Sequence, residues 1–366
     1  MRLMIGAGGT GGHVYPALTA AHVLNQQNHN LTFVGTRGGG GFEKRLVDDS
    51  GLRFDGFAEI FAGPVVGVNP LRALWSLLLM AVGLIQSLVL LVRVRPQSIL
   101  LTGGWANVPL AIAGWLLRVP LLVYLPDIEP GKTIQYISKI AAKVAITVPD
   151  AAAHFPEGKT VVTGYPLRDT LTKATREEGL THFKLDPDRK TLLVFGGSRG
   201  ARSLNEAIVA IVPQLLAENI QILHVSGTLD ADTVQAKRAA LPDATHYHVF
   251  PYLEHDMGLA LAAADVVLSR SGASILGEFP YFGLPSILVP YPYAWRYQKT
   301  NADYLVSHGS AVRLEDERLH DTLLPTIRAL LHDAQRLTTM RAAAKMLAQP
   351  QGAQNIARLM TELAAQ

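Results

Sequence analysis

Short apolar runs alternate with segments of helical length along the whole chain. In the first half these runs predict strands at 2–6, 31–35, 98–102, 120–124, 144–147 and 159–163. In the second half they predict strands at 191–195, 220–225, 246–249, 265–268, 286–289 and 311–314. Such alternation is typical of parallel sheets with helices on both faces. We therefore expect an α/β fold with doubly wound parallel sheets.

The pattern divides near Gly164-Tyr165-Pro166, because the polar stretch that follows, Arg168 to Lys190, has few large apolar residues. A chain of 366 residues is long enough for two domains with full cores. The expected parts are two Rossmann-like domains and a C-terminal helical segment that packs back toward the first domain: 1–163, 164–340 and 341–366.

One segment departs from this alternation. Residues 73–92 carry no charge over twenty positions, with Arg72 before them and Arg93 and Arg95 after them. Length alone makes the segment a candidate for a membrane span. A span would separate residues that must join one sheet, so we favour a helix whose outer face meets a membrane surface. A wholly buried crossover helix is the alternative.

Composition narrows the function classes. Hydrophobic residues make up 49% and charged residues 17%, the net charge is +3, and the pI is about 9.0. This mild positive charge suits an anionic ligand or a membrane surface, and no basic run interleaved with aromatic residues indicates nucleic acid. The absence of cysteine excludes disulfides, thiolate catalysis and cysteine-ligated metals. Met1 leads straight into the first strand, so we expect no signal peptide and a cytoplasmic location.

Two glycine-rich loops each follow a predicted strand and open a predicted helix. They are Gly6-Ala7-Gly8-Gly9-Thr10-Gly11-Gly12-His13 and Gly196-Gly197-Ser198-Arg199-Gly200-Ala201. Glycine lets backbone N–H groups approach a ligand, and a helix N-terminus adds unpaired donors and a positive dipole end. Two such loops at matching places predict two domains that face a cleft holding phosphates.

The first loop also fits a dinucleotide-binding string, but the acidic residue expected after the second strand is missing. That position reads Gly35-Thr36-Arg37, which disfavours NAD. His13 could accept a proton from an attacking hydroxyl, although the helix dipole would lower its pKa. The alternative is a histidine that only hydrogen-bonds loop carbonyls.

The second half carries two further polar motifs. Ser269-Arg270-Ser271-Gly272-Ala273 follows a strand and precedes a helix, and Glu278 lies two turns farther on. A carboxylate near a phosphate cradle is typical of a ribose-diol acceptor, whereas an ordinary solvated glutamate is the alternative. Gln298-Lys299-Thr300-Asn301 opens another helix with amides that could hydrogen-bond sugar hydroxyls.

In order and spacing these motifs, together with Val14-Tyr15-Pro16 and Ala302, resemble those of the MurG family. Its members are UDP-N-acetylglucosamine transferases that convert lipid I to lipid II in peptidoglycan synthesis. The resemblance covers nearly the whole chain. It implies the GT-B glycosyltransferase fold, no cofactor, and a peripheral protein on the cytoplasmic face of the cell membrane. UDP-GlcNAc and a polyprenyl-diphosphate-linked muramoyl peptide would be its substrates, with 73–92 docking on the membrane.

The resemblance also implies residue roles. In the first half, the residues that would face the acceptor diphosphate and the attacking sugar are Thr10, Gly11, Gly12 and His13. In the second half, the residues implied near the donor phosphates are Ser198, Gly272 and Ala273, the last two at the α-phosphate, together with Arg168 at the interdomain hinge. The implied nucleoside contacts are Leu253 at uracil and Glu278 at the ribose hydroxyls. Gln298 and Asn301 would lie at or near GlcNAc.

The chain departs from the family pattern at several positions, most of them in or beside the first half. The usual His-Glu-Gln-Asn reads Tyr124-Leu125-Pro126-Asp127, and the usual Gly-Gly-Tyr-x-Ser reads Gly103-Gly104-Trp105-Ala106-Asn107. Arg199 replaces a glutamine and Tyr165 an asparagine. The alternative therefore stays open that the chain is a paralogue with an altered acceptor or with no activity, such as a membrane scaffold. A UDP-sugar epimerase of the same fold is a further alternative.

The implied reaction is direct displacement at the anomeric carbon, with inversion, by the 4-hydroxyl of the muramoyl sugar. Backbone amides at the glycine loops would stabilise the leaving diphosphate, so a metal is unnecessary. His13 is the first candidate for the general base. Asp127 is the second, because a carboxylate there replaces an amide beside the sugar site.

Overall fold

The computed structural model describes residues 1–9, 11–37, 41–197, 200–293 and 297–366. The chain forms two compact units. Unit 1 consists of Met1–Leu167 and Pro350–Gln366, and unit 2 consists of Arg168–Gln349. Each unit is built on one parallel sheet, as the alternating sequence pattern predicts.

Unit 1 contains a seven-stranded sheet with the order β3-β2-β1-β4-β5-β6-β7. All the paired strands are parallel, with Ile5 of β1 opposite Phe33 of β2 and Leu100 of β4. The strands are Arg2–Gly6 (β1), Asn30–Thr36 (β2), Gly56–Ile60 (β3), Ser98–Leu101 (β4), Leu121–Leu125 (β5), Lys143–Ile146 (β6) and Thr160–Val162 (β7).

Strand β3 is an addition to the sequence prediction. It pairs only with β2 in the sheet order, and its side chains are mostly half-buried, with Ile60 alone fully buried. An edge strand of this kind lacks the long apolar run that marks a buried strand. Its sequence, Gly-Phe-Ala-Glu-Ile, is therefore a weak signal.

The helices of unit 1 cover both faces of this sheet. They are Gly11–Gln26 (α1), Phe42–Asp49 (α2), Pro70–Val94 (α3), Asn107–Leu116 (α4), Lys132–Ile137 (α5) and, at the C-terminus, Gly352–Ala364 (α15), with a 3-10 helix at Pro149–His154. The main core on one face joins α1 and α15 to the strands, and the core on the other face joins α3 and α4 to them.

The C-terminal helix α15 is part of unit 1 although it follows all of unit 2 in sequence. Its Ile356 and Met360 are buried in the core with α1, and the Met360 carbonyl accepts a hydrogen bond of 2.9 Å from Ser98 Oγ. Asn355 Nδ2 donates to the Thr163 carbonyl at 3.0 Å. The return of the chain to unit 1 occurs at Pro350, so the helix before it stays in unit 2.

Helix α3 packs on unit 1 through a narrow stripe of mostly small residues. Its buried residues are Ser76, Gly83, Ser87 and Leu91. A Cβ on Gly83 would clash with the carbonyl oxygen of Phe61, so only glycine allows this approach. The opposite face is apolar and exposed, at Leu71, Leu74, Trp75, Leu78, Val82, Ile85, Val89 and Val92.

Unit 2 contains a six-stranded parallel sheet with the order β10-β9-β8-β11-β12-β13. Its strands are Lys190–Phe195 (β8), Ile220–Val225 (β9), Tyr247–Phe250 (β10), Val266–Ser269 (β11), Ser286–Leu288 (β12) and Ala311–Arg313 (β13). Its helices are Asp169–Thr172 (α6), Arg176–His182 (α7), Arg202–Ala217 (α8), Ala231–Ala239 (α9), Met257–Ala263 (α10), Ile275–Phe282 (α11), Tyr297–Ser307 (α12), Leu319–Leu331 (α13) and Ala334–Met346 (α14), with a 3-10 helix at Asp316–Arg318.

Both sheets reverse their strand order next to a glycine loop. In unit 1 the reversal lies between β1 and β4, and in unit 2 it lies between β8 and β11. Ligands of open α/β sheets bind at this point, in the crevice at the carboxyl ends of the strands. The topology thus predicts one ligand site in each unit, at residues that follow these strands.

Candidate functional site

The first glycine loop crosses the reversal point of unit 1. It leaves β1 at Gly6 and enters α1 at Gly11, so Gly11, Gly12 and His13 form the first turn of that helix. Thr10 lies outside the described residues. The N–H groups of a first helical turn have no partner within the helix, which makes this turn suited to an anion.

His13 is held from both sides by the backbone of this loop and by the residue that follows β4. Its Nδ1 lies 3.2 Å from the Gly8 carbonyl, and its own carbonyl accepts a 2.8 Å hydrogen bond from Thr102 Oγ1. A carbonyl only accepts, so in the neutral ring Nδ1 carries the hydrogen and Nε2 is the basic atom. Burial lowers the pKa of His13 below its ordinary value, while the Gly8 hydrogen bond and the charge of Asp127 raise it.

The loop after β4 covers His13 and the first glycine loop. Gly103 and Gly104 have φ angles of +121° and +91°. A Cβ on Gly104 would lie 2.5 Å from the Gly8 carbonyl oxygen. Buried Asn107 donates from Nδ2 to the Gly103 carbonyl at 2.5 Å and so holds this loop in place.

Asp127 follows β5 and lies near enough to His13 to act on it electrostatically. The structure therefore brings together the two sequence candidates for the base.

Two of the departures from the family pattern lie in the core of unit 1. Tyr124 is fully buried, with its hydroxyl 2.9 Å from Thr147 Oγ1, and burial raises the pKa of that phenol well above its ordinary value. Tyr165 is also buried.

Unit 2 arranges its own loops at the reversal point between β8 and β11. The second glycine loop leaves β8 after Phe195 and precedes α8, and Ser198 lies outside the described residues. Arg270 ties these segments together: it donates to Ser203 Oγ of α8 at 2.8 Å, to the Val289 carbonyl at 3.2 Å and to Asp316 Oδ1 at 2.5 Å. Its guanidinium is thereby used to fix the loops.

Gly272 and Ala273 stand between β11 and α11. Within the described residues, no heavy atom lies within 4 Å of a Cβ built on Gly272, so the backbone there borders open space. Asn301 is fully buried in α12 and donates from Nδ2 to the Ser271 carbonyl at 3.2 Å. Asn301 therefore holds the backbone of this loop in place through a buried hydrogen bond.

Glu278, Arg168 and Leu253 lie in one part of unit 2. Glu278 is half-buried in the first turn of α11. Burial raises the pKa of Glu278, opposed by the positive charge of Arg168 and by a hydrogen bond with Ser274. Arg168 NH1 donates to the Glu254 carbonyl at 3.4 Å, beside buried Leu253. Gln298 lies in the first turn of α12, where its Oε1 accepts from the Tyr291 N–H at 2.8 Å.

A buried polar chain supports the second glycine loop, and no sequence pattern indicated it. Asn205 of α8 donates to the Ser226 carbonyl at 2.8 Å and to Asp230 Oδ2 at 2.9 Å, and its Oδ1 accepts from His224 Nε2 at 2.9 Å. Burial lowers the pKa of His224 to about 4, so this ring is neutral at physiological pH. Ser226 in turn packs against Gly200, where a Cβ would clash with the Ser226 carbonyl oxygen.

Asp230 belongs to the Asp-x-Asp string Asp230-Ala231-Asp232 and is occupied by this network and by Arg202. Among the described residues, no cluster of three or more His, Asp or Glu side chains is arranged to hold a metal ion. Buried Glu43, on α2 beside the first glycine loop, is the other polar residue that sequence reasoning missed.

Comparison with known proteins gives consistent matches over the two units. The N-terminal domain of glycosyltransferase family 28 matches residues 3–146, and the C-terminal domain of the same family matches residues 191–356. The UDP-N-acetylglucosamine--N-acetylmuramyl-(pentapeptide) pyrophosphoryl-undecaprenol N-acetylglucosamine transferase of Roseiflexus sp. (strain RS-1) is 38% identical, over 99% of this chain and 95% of that protein.

Solved structures agree with the sequence matches. The crystal structure of Acinetobacter baumannii MurG has a TM-score of 0.79 and 28% identity, and the match covers 99% of each chain. A putative UDP-N-acetylglucosamine 2-epimerase from Listeria monocytogenes has a TM-score of 0.68 and covers 96% of this chain and 94% of its own. Its identity is only 16%, so it shows a shared fold and nothing about activity.

Proposed function

The chain belongs to glycosyltransferase family 28, among its MurG transferases, and on that premise we propose which residues of each unit serve the reaction. The chain transfers N-acetylglucosamine from UDP-N-acetylglucosamine to lipid I and makes lipid II in peptidoglycan synthesis. The fold is GT-B, with one parallel-sheet domain in each unit.

In this proposal, unit 2 binds the donor. Glu278 is the residue that carries the assignment, because its carboxylate lies within the electrostatic reach of the Arg168 guanidinium, which itself bonds the backbone next to Leu253. Glu278 accepts hydrogen bonds from the ribose hydroxyls, and the backbone at Leu253 meets uracil. Arg168 lies near the donor phosphates.

The donor diphosphate is bound at the two loops of the unit 2 reversal point. Gly272 and Ala273 donate backbone N–H groups to the α-phosphate, and Ser198 belongs to the second loop. Gln298 and Asn301 lie at or near the GlcNAc end of the donor. Asn301 also holds the loop before α11 in place, because its Nδ2 donates to the Ser271 carbonyl. Preorganised N–H donors stabilise the charge that develops on the leaving diphosphate.

Unit 1 binds the acceptor. Thr10, Gly11 and Gly12 offer N–H groups to its diphosphate, and His13 removes the proton from the attacking 4-hydroxyl. The observation that supports His13 is the hydrogen bond from its Nδ1 to Gly8, which leaves Nε2 as the basic nitrogen. The charge of Asp127 raises the pKa of His13 and so strengthens the base.

We further propose that unit 1 docks on the cytoplasmic face of the membrane through α3. This helix is the one element of the described residues that is long and apolar enough to cross a bilayer, and only 17% of its most apolar window is buried. At 25 residues it is about 37 Å long. Its neighbours β3 and β4 belong to the same parallel sheet, so the helix returns along that sheet and suits an orientation in the membrane plane.

The donor assignment is tested by binding of UDP and 2′-deoxy-UDP, measured by calorimetry. The wild type should bind UDP about 10- to 100-fold more tightly than 2′-deoxy-UDP, since a hydrogen bond to a charged group contributes about 1.5–3 kcal/mol. Glu278→Ala should abolish this preference, while the exposed Glu206→Ala of the same unit should keep it. A Glu278→Ala protein that still prefers UDP would exclude this role for Glu278.

A further inference from the structure

Glu43 is a buried carboxylate that faces the first glycine loop. Its residue is 2% exposed, in the first turn of α2. Its Oε1 accepts a hydrogen bond of 3.0 Å from the Gly9 N–H. Burying a carboxylate costs free energy unless hydrogen bonds replace those that it made with water. The hydrogen bond from the loop is therefore part of what keeps Glu43 at this position.

The Gly9 N–H belongs to the same peptide unit as the Gly8 carbonyl. That carbonyl is the one to which His13 Nδ1 donates at 3.2 Å. In a planar trans peptide the C=O and N–H groups point in opposite directions. Glu43 and His13 therefore hold the two ends of one peptide, Glu43 through the donor and His13 through the acceptor.

Both Glu43 and this peptide are closely packed against the neighbouring backbone. Glu43 packs directly on Gly35: a Cβ there would lie 3.3 Å from the Glu43 Cβ, which is a tight contact. A Cβ on Gly8 would lie 3.0 Å from Glu43 Oε1. The peptide lies between two glycines, whose φ and ψ angles are widely permitted, so its orientation depends on the groups that contact it. These are Glu43, His13 and the backbone at Gly104.

We infer that Glu43 is a positioning residue for the general base: by holding the Gly9 N–H it keeps the Gly8 carbonyl directed at His13 Nδ1, and so fixes the imidazole with Nε2 toward the acceptor. This inference rests on the proposed role of His13. The inference also assigns different functions to the backbone N–H groups of this loop. The Gly9 N–H is structural, whereas those of Gly11 and Gly12 remain for the acceptor diphosphate.

The test compares two replacements of nearly the same size. Glu43→Gln keeps an oxygen that can accept from Gly9, and Glu43→Met removes it without adding a buried polar side chain. Asp49→Ala, an exposed acid at the end of the same helix, is the matched control. Each protein is assayed for lipid-dependent UDP release and for the KM of UDP-N-acetylglucosamine, which reports on unit 2.

We expect Glu43→Met to lower kcat about tenfold or more, since the base is no longer oriented, with the donor KM within about twofold of the wild type. Glu43→Gln and Asp49→Ala should both stay within about threefold of the wild-type kcat. Nitrogen-15 spectra of the imidazoles should show His13 losing its fixed Nδ1–H tautomer in Glu43→Met only, with the His13→Asn spectrum identifying the signal.

Either of two results would overturn the inference: Glu43→Met with wild-type kcat and tautomer, or Glu43→Gln impaired as much as Glu43→Met. A wild type that shows no lipid-dependent UDP release is a different failure, because it would remove the proposed acceptor chemistry itself. The tautomer of His13 can still be measured in that case, so the positioning by Glu43 is tested on its own.

Discussion

Gly103 lies so close to His13 that a Cβ on the glycine would stand 2.6 Å from Cδ2 and 2.7 Å from Nε2 of the imidazole. Its φ of +121° also belongs to a region that residues with a side chain rarely adopt. The loop after β4 thus packs directly against the Cδ2 and Nε2 atoms of the imidazole. Any side chain at this position must displace the imidazole.

Gly103→Ala is therefore expected to lower lipid-dependent kcat by about tenfold or more, because the base is moved from its position. Gly158→Ala is the control, since Gly158 has a φ of +71° and a Cβ placed there would have no heavy atom of the described residues within 4 Å. Both should lose about 1–3 kcal/mol of stability from backbone strain. Urea unfolding and steady-state kinetics separate the two effects. Equal kcat in both variants would show that the contact with His13 is unimportant.

His13 and Asp127 are distinguished by amide replacements. His13→Asn should lower kcat about 10²- to 10⁴-fold, as expected for loss of a general base, whereas Asp127→Asn should lower it about tenfold or less. The charge of Asp127 raises the pKa of His13, so its removal lowers that pKa. A base acts in its deprotonated form, and the acidic limb of the kcat/KM profile should move to lower pH in Asp127→Asn. A loss in Asp127→Asn as large as in His13→Asn would make Asp127 the base.

The buried Asp265 is expected to stabilise unit 2 in a pH-dependent way. It accepts from Arg341 at 2.7 Å, from the Thr191 N–H at 2.9 Å and from Arg176 at 3.2 Å. Burial alone would raise the pKa of Asp265, but the hydrogen bonds from Thr191 and Arg341 and the positive charges of Arg176 and Lys190 together outweigh burial and lower it.

Because the folded pKa is the lower one, the stabilisation is present above the unfolded pKa of about 3.9 and is lost as the pH falls through the folded value. Asp265→Asn should therefore lower the free energy of unfolding by about 1–3 kcal/mol at pH 7, and the difference should shrink below about pH 4. The exposed Asp321→Asn serves as the control. A difference between Asp265→Asn and wild type that does not change with pH would contradict the ionic explanation.

The apolar face of α3 leads to a prediction about membrane binding. Leu74 and Leu78 are 59% and 55% exposed, and their double replacement by glutamate should reduce sedimentation with anionic lipid vesicles by more than about tenfold. Leu229→Glu, at a position 69% exposed in unit 2, should leave binding unchanged. Melting temperatures check that the fold persists. If the double variant binds vesicles like the wild type, α3 is not the docking surface.

Strand periodicity and the glycine loops predicted most of both sheets, because each buried strand carries a continuous apolar run. The edge strand β3 escaped prediction because its side chains are only half-buried. The order of the strands, which places both loops at reversal points, depends on contacts between distant segments and is not written in any one of them.

The supports of the site were hidden for the same reason. Glu43 lies 34 positions from the Gly9 amide that it holds, and Asn205 lies 19 from His224. Their sequence surroundings resemble those of ordinary helical polar residues. Asn301 is a related case: its motif predicts a position at or near the sugar, and only the fold shows that its side-chain amide donates to the Ser271 carbonyl. Three-dimensional packing, which no local pattern encodes, decides these partners.

The reaction itself is tested most directly by UDP release from UDP-N-acetylglucosamine, with and without a short-chain lipid I analogue, in detergent without added divalent ions. We predict release that depends on the lipid and yields a disaccharide product with a β-linkage. Nucleotide binding without turnover, or formation of an epimer of the sugar nucleotide without lipid, would contradict the transferase function.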